Sequence, residues 1–141
     1  MQTFLPYANF TRSAKSLDRT RLGKQRVENL QIIKALNDPS YGWQNHPAVK
    51  MWRGRRGALL MYQEAICNEW TGRGYKDTCL EKSKALVTDI PVSEWSAPAW
   101  LGNFDLHQSH RSNLLRKDGE HYGKIFEANL SSDLPYVWPV D

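Results

Sequence analysis

Arg21, Lys24 and Glu28 follow one another at spacings of three and four in LDRTRLGKQRVE, residues 17 to 28, with Gln25 beside them. On a helix those spacings make a single row. One carboxylate set among cations that can hold phosphates is suited to act as acid or base at a sugar beside a nucleic-acid backbone. The competing reading is a solvated Lys24–Glu28 pair, in the weaker of its two orientations and worth only a few tenths of a kcal/mol. Arg19 and Arg26 present a different problem. A helical projection places both on the arc of Leu22, Leu30 and Ile33, and Glu69 lies in the apolar arc of a second helix between Tyr62, Ile66 and Arg73. Either Arg26 and Glu69 form a buried ion pair tying two helices, or these charges line a cleft in which carboxylate pKa values are shifted.

His107, His110, Arg111 and Asn113 share one predicted helix and make a dense set of polar donors, as suits phosphate or base contact. His46, Arg53, Arg55 and Arg56 add further donors before residue 57. Residues 1 to 56 hold 11 Lys or Arg against 3 Asp or Glu, whereas residues 57 to 141 hold 8 against 12, so the formal +4 conceals +8 and −4. A patch of that kind most often serves a phosphate backbone, because each neutralised phosphate releases a condensed counterion. The DNA-facing candidates are therefore Arg19, Arg21, Lys24, Gln25, His46, Arg53, Arg55, Arg56, His110, Arg111 and Asn113. Six Trp and six Tyr accompany them, several in Gly- or Pro-bearing segments. Such rings either stack on bases or plug the joints between helices.

With 141 residues, 40% hydrophobic and 24% charged, the chain has the size and composition of one globular domain. No apolar run reaches the roughly 18 residues of a membrane span, and MQTFLPYANF has no basic stretch followed by an apolar one, so a cytoplasmic monomer without a signal peptide is expected. Cys67 and Cys79 are expected as free thiols. His107-x-x-His110 lacks a third ligand, so no metal and no cofactor are expected.

Helices must position these residues. Thr11 or Ser13 can cap a first turn, and Asp18 a helix to about Leu36, stopped at Asn37-Asp38-Pro39. A loop from residue 39 to 47, containing Tyr41-Gly42-Trp43, leads to a second helical region. Apolar residues at 58, 59, 62, 65, 66 and 70 predict a central helix ended by Gly72 and Gly74. Cys79 to Val87 reads as a shorter helix, residues 91 to 102 as an aromatic-rich loop, and Asp105 as the cap of a helix to about Lys117. A last short helix reaches Phe126, and the tail through Tyr136 and Trp138 is extended. With no strand pair in view, the class is all-α: a compact helical bundle with aromatic-rich loops and an extended C-terminal tail.

RLGKQRVENLQII, NHPAVKMW and ALLMYQEAICNEWTGRGYKDT together resemble the pyrimidine-dimer DNA glycosylase family, the group containing phage endonuclease V. The resemblance spans about residues 1 to 80 and the tail, and its most distinctive part is the ending RGYKDT. The chain is also similar over its whole length to bacterial and phage relatives that begin MQTFLPY and carry LGKQRVE and SHRSNLLRK. The resemblance implies an all-helical protein that binds double-stranded DNA, flips a base and cuts the N-glycosidic bond with an N-terminal α-amine. Such an amine, with a pKa of about 7.7 to 8.0, is partly unprotonated at neutral pH and can form a Schiff base at the sugar C1′. An early Glu then assists sugar opening and β-elimination, while Arg residues hold phosphates.

The family nucleophile is a Thr exposed when Met is removed. Here Gln2 follows Met1, a side chain bulky enough to block removal, so the amine is that of Met1. Aligning the helix arginine on Arg26 places Val27 at the family's carboxylate position and Glu28 one residue later, while another alignment places Gly23 there. Met1, Glu28 and Arg26 are the catalytic candidates, with Glu69 and Arg26 as the alternative pair. Two further functions remain open: a DNA-binding protein without the chemistry, and a nucleotide or phosphate binder using Arg19 and Arg26.

Overall fold

The computed structural model describes residues 1–140. Seven α-helices form, and no strand occurs among the described residues: α1 Phe10–Ser16, α2 Arg19–Asn37, α3 Pro47–Lys50, α4 Arg56–Gly72, α5 Cys79–Leu86, α6 Phe104–Lys117 and α7 Gly119–Tyr122. A 3-10 turn, Val92–Trp95, sits inside the expected aromatic loop. The fold is all-α, as its sequence pattern implies.

The helix ends follow local chemistry, with three corrections. Asn9, not Thr11 or Ser13, caps α1 by accepting from the Arg12 N–H at 2.8 Å. Asn103, not Asp105, caps α6 by accepting from Leu106 N–H at 3.0 Å. Asp18 occupies the cap position of α2 without capping it, because its carboxylate is taken by the Tyr122 hydroxyl at 2.5 Å and Arg21 at 3.1 Å.

α4 is the central helix and packs against α1, α2 and α5. Its Leu59, Tyr62 and Ile66 are fully buried with Leu22, Ile32 and Ile33 of α2 and with Trp52. The buried side of α2 is unusual because Gln25, Glu28 and Asn29 alternate there with those aliphatic residues. A chain of amides satisfies them. Gln25 Nε2 donates to Asn29 Oδ1 at 2.8 Å, Asn29 Nδ2 to Gln63 Oε1 at 3.0 Å, and Gln63 Nε2 to Ser83 Oγ at 3.1 Å, linking α2, α4 and α5 through a polar seam.

The expected Arg26–Glu69 pair does not form. Arg26 binds Asp77 at 2.5 Å, while Glu69 binds Arg73 at 2.8 Å along its own helix. The turn after α4 causes the exchange: Gly74 adopts φ 97°, Tyr75 stacks on Trp70 with ring centroids 4.3 Å apart, and the chain returns to bring Asp77 over α2. Trp70 covers Arg26, its ring 4.4 Å from the guanidinium carbon. Gly23 permits this, since a Cβ there would come within 2.8 Å of the Trp70 ring. Arg19, also expected on the apolar arc, is exposed at the helix start and forms no ion pair among the described residues.

Side-chain exposure of 15% for Arg26 and 5% for Asp77 predicts that Arg26→Ala costs about 3–5 kcal/mol, as removal of one partner of a buried pair does. Glu69→Gln, in a pair exposed by about a quarter on each side, costs under about 1 kcal/mol. Urea unfolding of both variants checks this, and equal losses would contradict the assignment.

Candidate active site

Residues 1 to 7 belong to no helix, yet residues 3 to 6 are buried. A buried segment without a helix or ladder must find other partners for its backbone. Side chains from three helices, α2, α4 and α6, supply them. Glu28 Oε2 accepts from Gln2 N–H at 3.2 Å and Gln25 Oε1 from Phe4 N–H at 2.8 Å, while Gln25 Nε2 donates to Gln2 C=O at 2.8 Å. The Tyr62 hydroxyl donates to Phe4 C=O, and Arg111 Nη1 to Pro6 C=O at 2.8 Å. His110 Nδ1 accepts from Leu5 N–H at 2.9 Å, whereas His107 Nδ1 donates to Leu5 C=O at 2.8 Å and its Nε2 accepts from Gly102 N–H at 2.9 Å. The two histidines are thus opposite tautomers, both neutral. Burial pushes both below the usual histidine range, His110 to about 3.

At the outer end of this segment the Met1 α-amine lies 4.0 Å from Glu28 Oε1, and the Met1 side chain is only 1% exposed. Lys24 Nζ stands 3.8 Å from the same oxygen. Burial raises the Glu28 carboxyl above its ordinary value, against the pull of the Met1 amine, Lys24 and the Gln2 N–H. A carboxylate so held exchanges a proton with an adjacent amine more readily than a solvated one. Sequence spacing places Lys24 with Glu28; only the path of residues 1 to 5 brings the amine to them.

His46 lies close enough to the Met1 amine for that charge to add to burial in lowering its pKa. Its Nδ1 accepts from Ala48 N–H at 3.0 Å as the cap of α3, which leaves Nε2 as the donor. Trp43 and Trp138 meet the imidazole edge-to-face, with centroids at 5.8 and 6.1 Å. Tyr136, its ring 5.7 Å from the His110 ring centre, and Val137, whose N–H donates to Ser109 Oγ at 3.1 Å, fix the tail on this side. The amine therefore lies beside Glu28 and Lys24, with His46 and the rings that flank it on the same side. Gln2, Tyr136 and Trp138 reach it from positions whose roles no local pattern announces.

Several expected site residues lie elsewhere. Gln25, His110 and Asn113 are almost wholly buried, so none can meet a phosphate; the first two hold the N-terminal segment and Asn113 Nδ2 donates to Leu134 C=O at 2.9 Å. Arg111 is committed to Pro6 and to Glu127, whose oxygens are 3.2 Å from Nε and Nη2. Arg26, expected with Met1 and Glu28, instead faces Asp77 on a different side of α2 from Glu28. Arg56 is held by Glu94 at 2.6 Å and Asn37 at 3.0 Å, which ties α4 to the 3-10 turn. Arg19 and Arg53 are exposed, Arg21 and Arg55 partly so. A cavity of about 620 Å³ lies beside Tyr7, Arg12, Phe104 and Arg111 at the inner end of the segment. Both nitrogens of His107 there are engaged, so it offers no free acid or base.

Among the described residues no group of three or more His, Cys, Asp or Glu is placed to hold a metal, and no helix is long and apolar enough to cross a membrane. A family model described as pyrimidine dimer DNA glycosylase matches residues 1–83, which include the whole N-terminal segment, Lys24, Glu28, His46 and the Arg26–Asp77 pair. The chain has no match among curated proteins or among solved structures.

The neutral histidines set a pH dependence. Lowered folded-state values mean that the unfolded chain binds more protons below about pH 6.5, so stability is complete above that pH and falls as acid is added. Glu28, raised instead by burial, acts in the opposite sense, stabilising the fold in acid and losing that contribution as pH rises through its folded-state value. Between pH 6.5 and 5.5, as a window set by the free-histidine value, urea unfolding is expected to lose stability at up to about 1.4 kcal/mol per pH unit for each histidine. Constant stability across that interval would show that the imidazoles charge without cost.

Proposed function

The chain belongs to the pyrimidine dimer DNA glycosylase family, and we propose that it releases a damaged or modified pyrimidine from duplex DNA with the Met1 α-amine as nucleophile and Glu28 as proton carrier. A DNA substrate and a glycosylase function in general follow from the family; the nucleophile, the lyase step and base flipping are this proposal. The observation that carries it is the α-amine at 4.0 Å from a buried carboxylate, at the end of a segment whose backbone is fixed by side chains on α2, α4 and α6.

In this reading the target nucleotide leaves the stack and comes to the amine, since C1′ cannot be reached inside a duplex. The unprotonated amine attacks C1′. The C1′–N bond breaks with its electron pair passing to the base, and Glu28 takes the proton released by the new secondary amine and returns it to the departing base. The sugar ring then opens: the amine lone pair forms C1′=N as the C1′–O4′ pair passes to O4′, and Glu28 carries the remaining amine proton to O4′, leaving a Schiff base between Met1 and C1′. Glu28 then removes a C2′ proton, the 3′ phosphate leaves with the C3′–O pair, and the strand is cut by β-elimination. Lys24, its Nζ 69% exposed by side chain, remains able to meet a phosphate beside the amine. Arg53, exposed next to the loop that carries Trp43, and Arg19 complete the proposed DNA face.

Borohydride is expected to trap the protein covalently on an abasic-site duplex. One additional N-terminal glycine displaces the amine by about 3.8 Å and abolishes the adduct while the melting temperature holds. Glu28→Gln leaves DNA affinity intact and slows base release by roughly 10²- to 10⁴-fold. A wild-type chain that binds duplex DNA, forms no adduct and releases no damaged pyrimidine would establish a binding protein on this scaffold.

Affinity itself is expected to fall with salt. Replacing Lys24 and Arg53 together by Ala lowers the slope of log affinity against log salt by about 1.8, at roughly 0.9 per phosphate contact. An unchanged slope would move the DNA face away from α2 and the loop after it.

A further inference from the structure

The loop between α2 and α3 carries the one non-glycine residue with positive φ among the described residues, Trp43 at 71°. That conformation is unfavourable for a bulky side chain and persists only where the surroundings dictate it. Here they do. Gln44 Nε2 donates to the carbonyls of Ala35, Asp38 and Tyr41 at 2.7, 2.9 and 3.0 Å, anchoring the loop to the end of α2. Arg53 Nη2 donates to Gln44 C=O at 2.9 Å, and His46 N–H to Trp43 C=O at 3.0 Å. The loop is held on both sides of residue 43, and the indole it presents is 54% exposed. A turn needing only the backbone would be met more cheaply by glycine, and Gly42 stands next to it.

Position gives the exposed ring a use. It borders His46, which senses the charge of the Met1 amine, and Trp138 closes the other side of the same imidazole. Phe104 is 65% exposed but stands by Tyr7 and Arg111, at the opposite end of the N-terminal segment. Resting on the proposed reaction at Met1, we propose that Trp43 is the side chain that enters the duplex: its indole fills the gap left when the target nucleotide swings out to the amine, stacking on the neighbouring bases. A flat ring is stable there whatever the flanking sequence, because every base offers a π-face. The rigid loop means the ring is already extended before DNA arrives, so little ordering is lost on insertion. Lys24 and Arg53 are placed to take the phosphates on either side.

The test uses a duplex with a tetrahydrofuran abasic analogue beside 2-aminopurine, together with single-stranded DNA bearing a true abasic site. Wild type is expected to quench the 2-aminopurine on binding. Trp43→Ala should lose that quenching and bind the analogue duplex roughly ten- to a hundred-fold more weakly, while Trp43→Phe keeps most of both. Borohydride trapping on the single strand, where no gap is left to fill, falls in Trp43→Ala by less than binding to the analogue duplex does. Phe104→Ala changes neither measurement. Trp43→Gly, which relieves the backbone, melts no lower than wild type; a clear loss there would mark the ring as a structural plug and overturn the proposal. Full quenching and affinity in Trp43→Ala would also overturn it, as would an equal loss of affinity for undamaged duplex. If wild type traps on no substrate the reaction at Met1 fails, and quenching with and without Trp43 still decides whether the ring inserts.

Discussion

A strip of backbone at residues 2 to 6 lies in the interior without a strand to pair with, and its amides and carbonyls must be satisfied one at a time. Much of the structure follows from that constraint. Gln25 and Glu28 meet it from α2, Tyr62 from α4, and His107, His110 and Arg111 from α6. The strip joins α6 to α2 and α4, in addition to the direct packing of α2 on α4. Trp52 adds a further bond, its Nε1 donating to Thr3 Oγ1 at 3.1 Å. Removing any one of these partners leaves a buried polar group unmet, which costs about 1–3 kcal/mol, more than the bond itself contributes.

Chemical selectivity arises from the same arrangement. A histidine whose two nitrogens are both engaged by backbone, as in His107, has no free site to titrate or to meet substrate. Arg111 is likewise spent on Pro6 and Glu127. Glu28 differs because only part of it serves the backbone: one oxygen accepts from Gln2 N–H while the other faces the Met1 amine and Lys24. The residue is structural through one oxygen and available through the other. That division explains how a buried carboxylate can belong both to the helix interface and to a reactive group.

The helices were largely legible from periodicity. α2, α4 and α5 begin and end within a residue or two of their expected limits, because apolar spacing and the stops at Asn37-Asp38-Pro39, Gly72 and Gly74 are local signals. The row of Lys24 and Glu28 was legible for the same reason. The partners of Arg26 and Glu69 were not. The projection identifies an arginine that needs a carboxylate, but which carboxylate arrives depends on how Gly74 turns the chain after α4, and that brought Asp77. The α6 residues were misjudged more thoroughly: their density of donors reads as a nucleic-acid surface, whereas the acceptors and donors they serve belong to a segment about a hundred positions earlier. No spacing rule reports a partner at that separation. Trp43 was passed over because exposure and positive φ are properties of the folded loop, not of the residue type.

An amine at a chain terminus is ordinarily a poor catalyst, since termini fray and the entropy of placing the group is lost at every encounter with substrate. Here the Met1 side chain is packed at 1% exposure and the next five residues are bound, so placement of the amine is settled when the chain folds. This shifts the entropic cost from the reaction to folding, where the core of α2 and α4 offsets it. It also accounts for the amide seam. Apolar residues at 25, 28 and 29 would pack the helices more simply but would leave the backbone of Gln2 and Phe4 without partners, and the amine would have no fixed position relative to Glu28. In the proposed reaction, the polar interior of α2 is therefore what a nucleophile carried on the first residue requires.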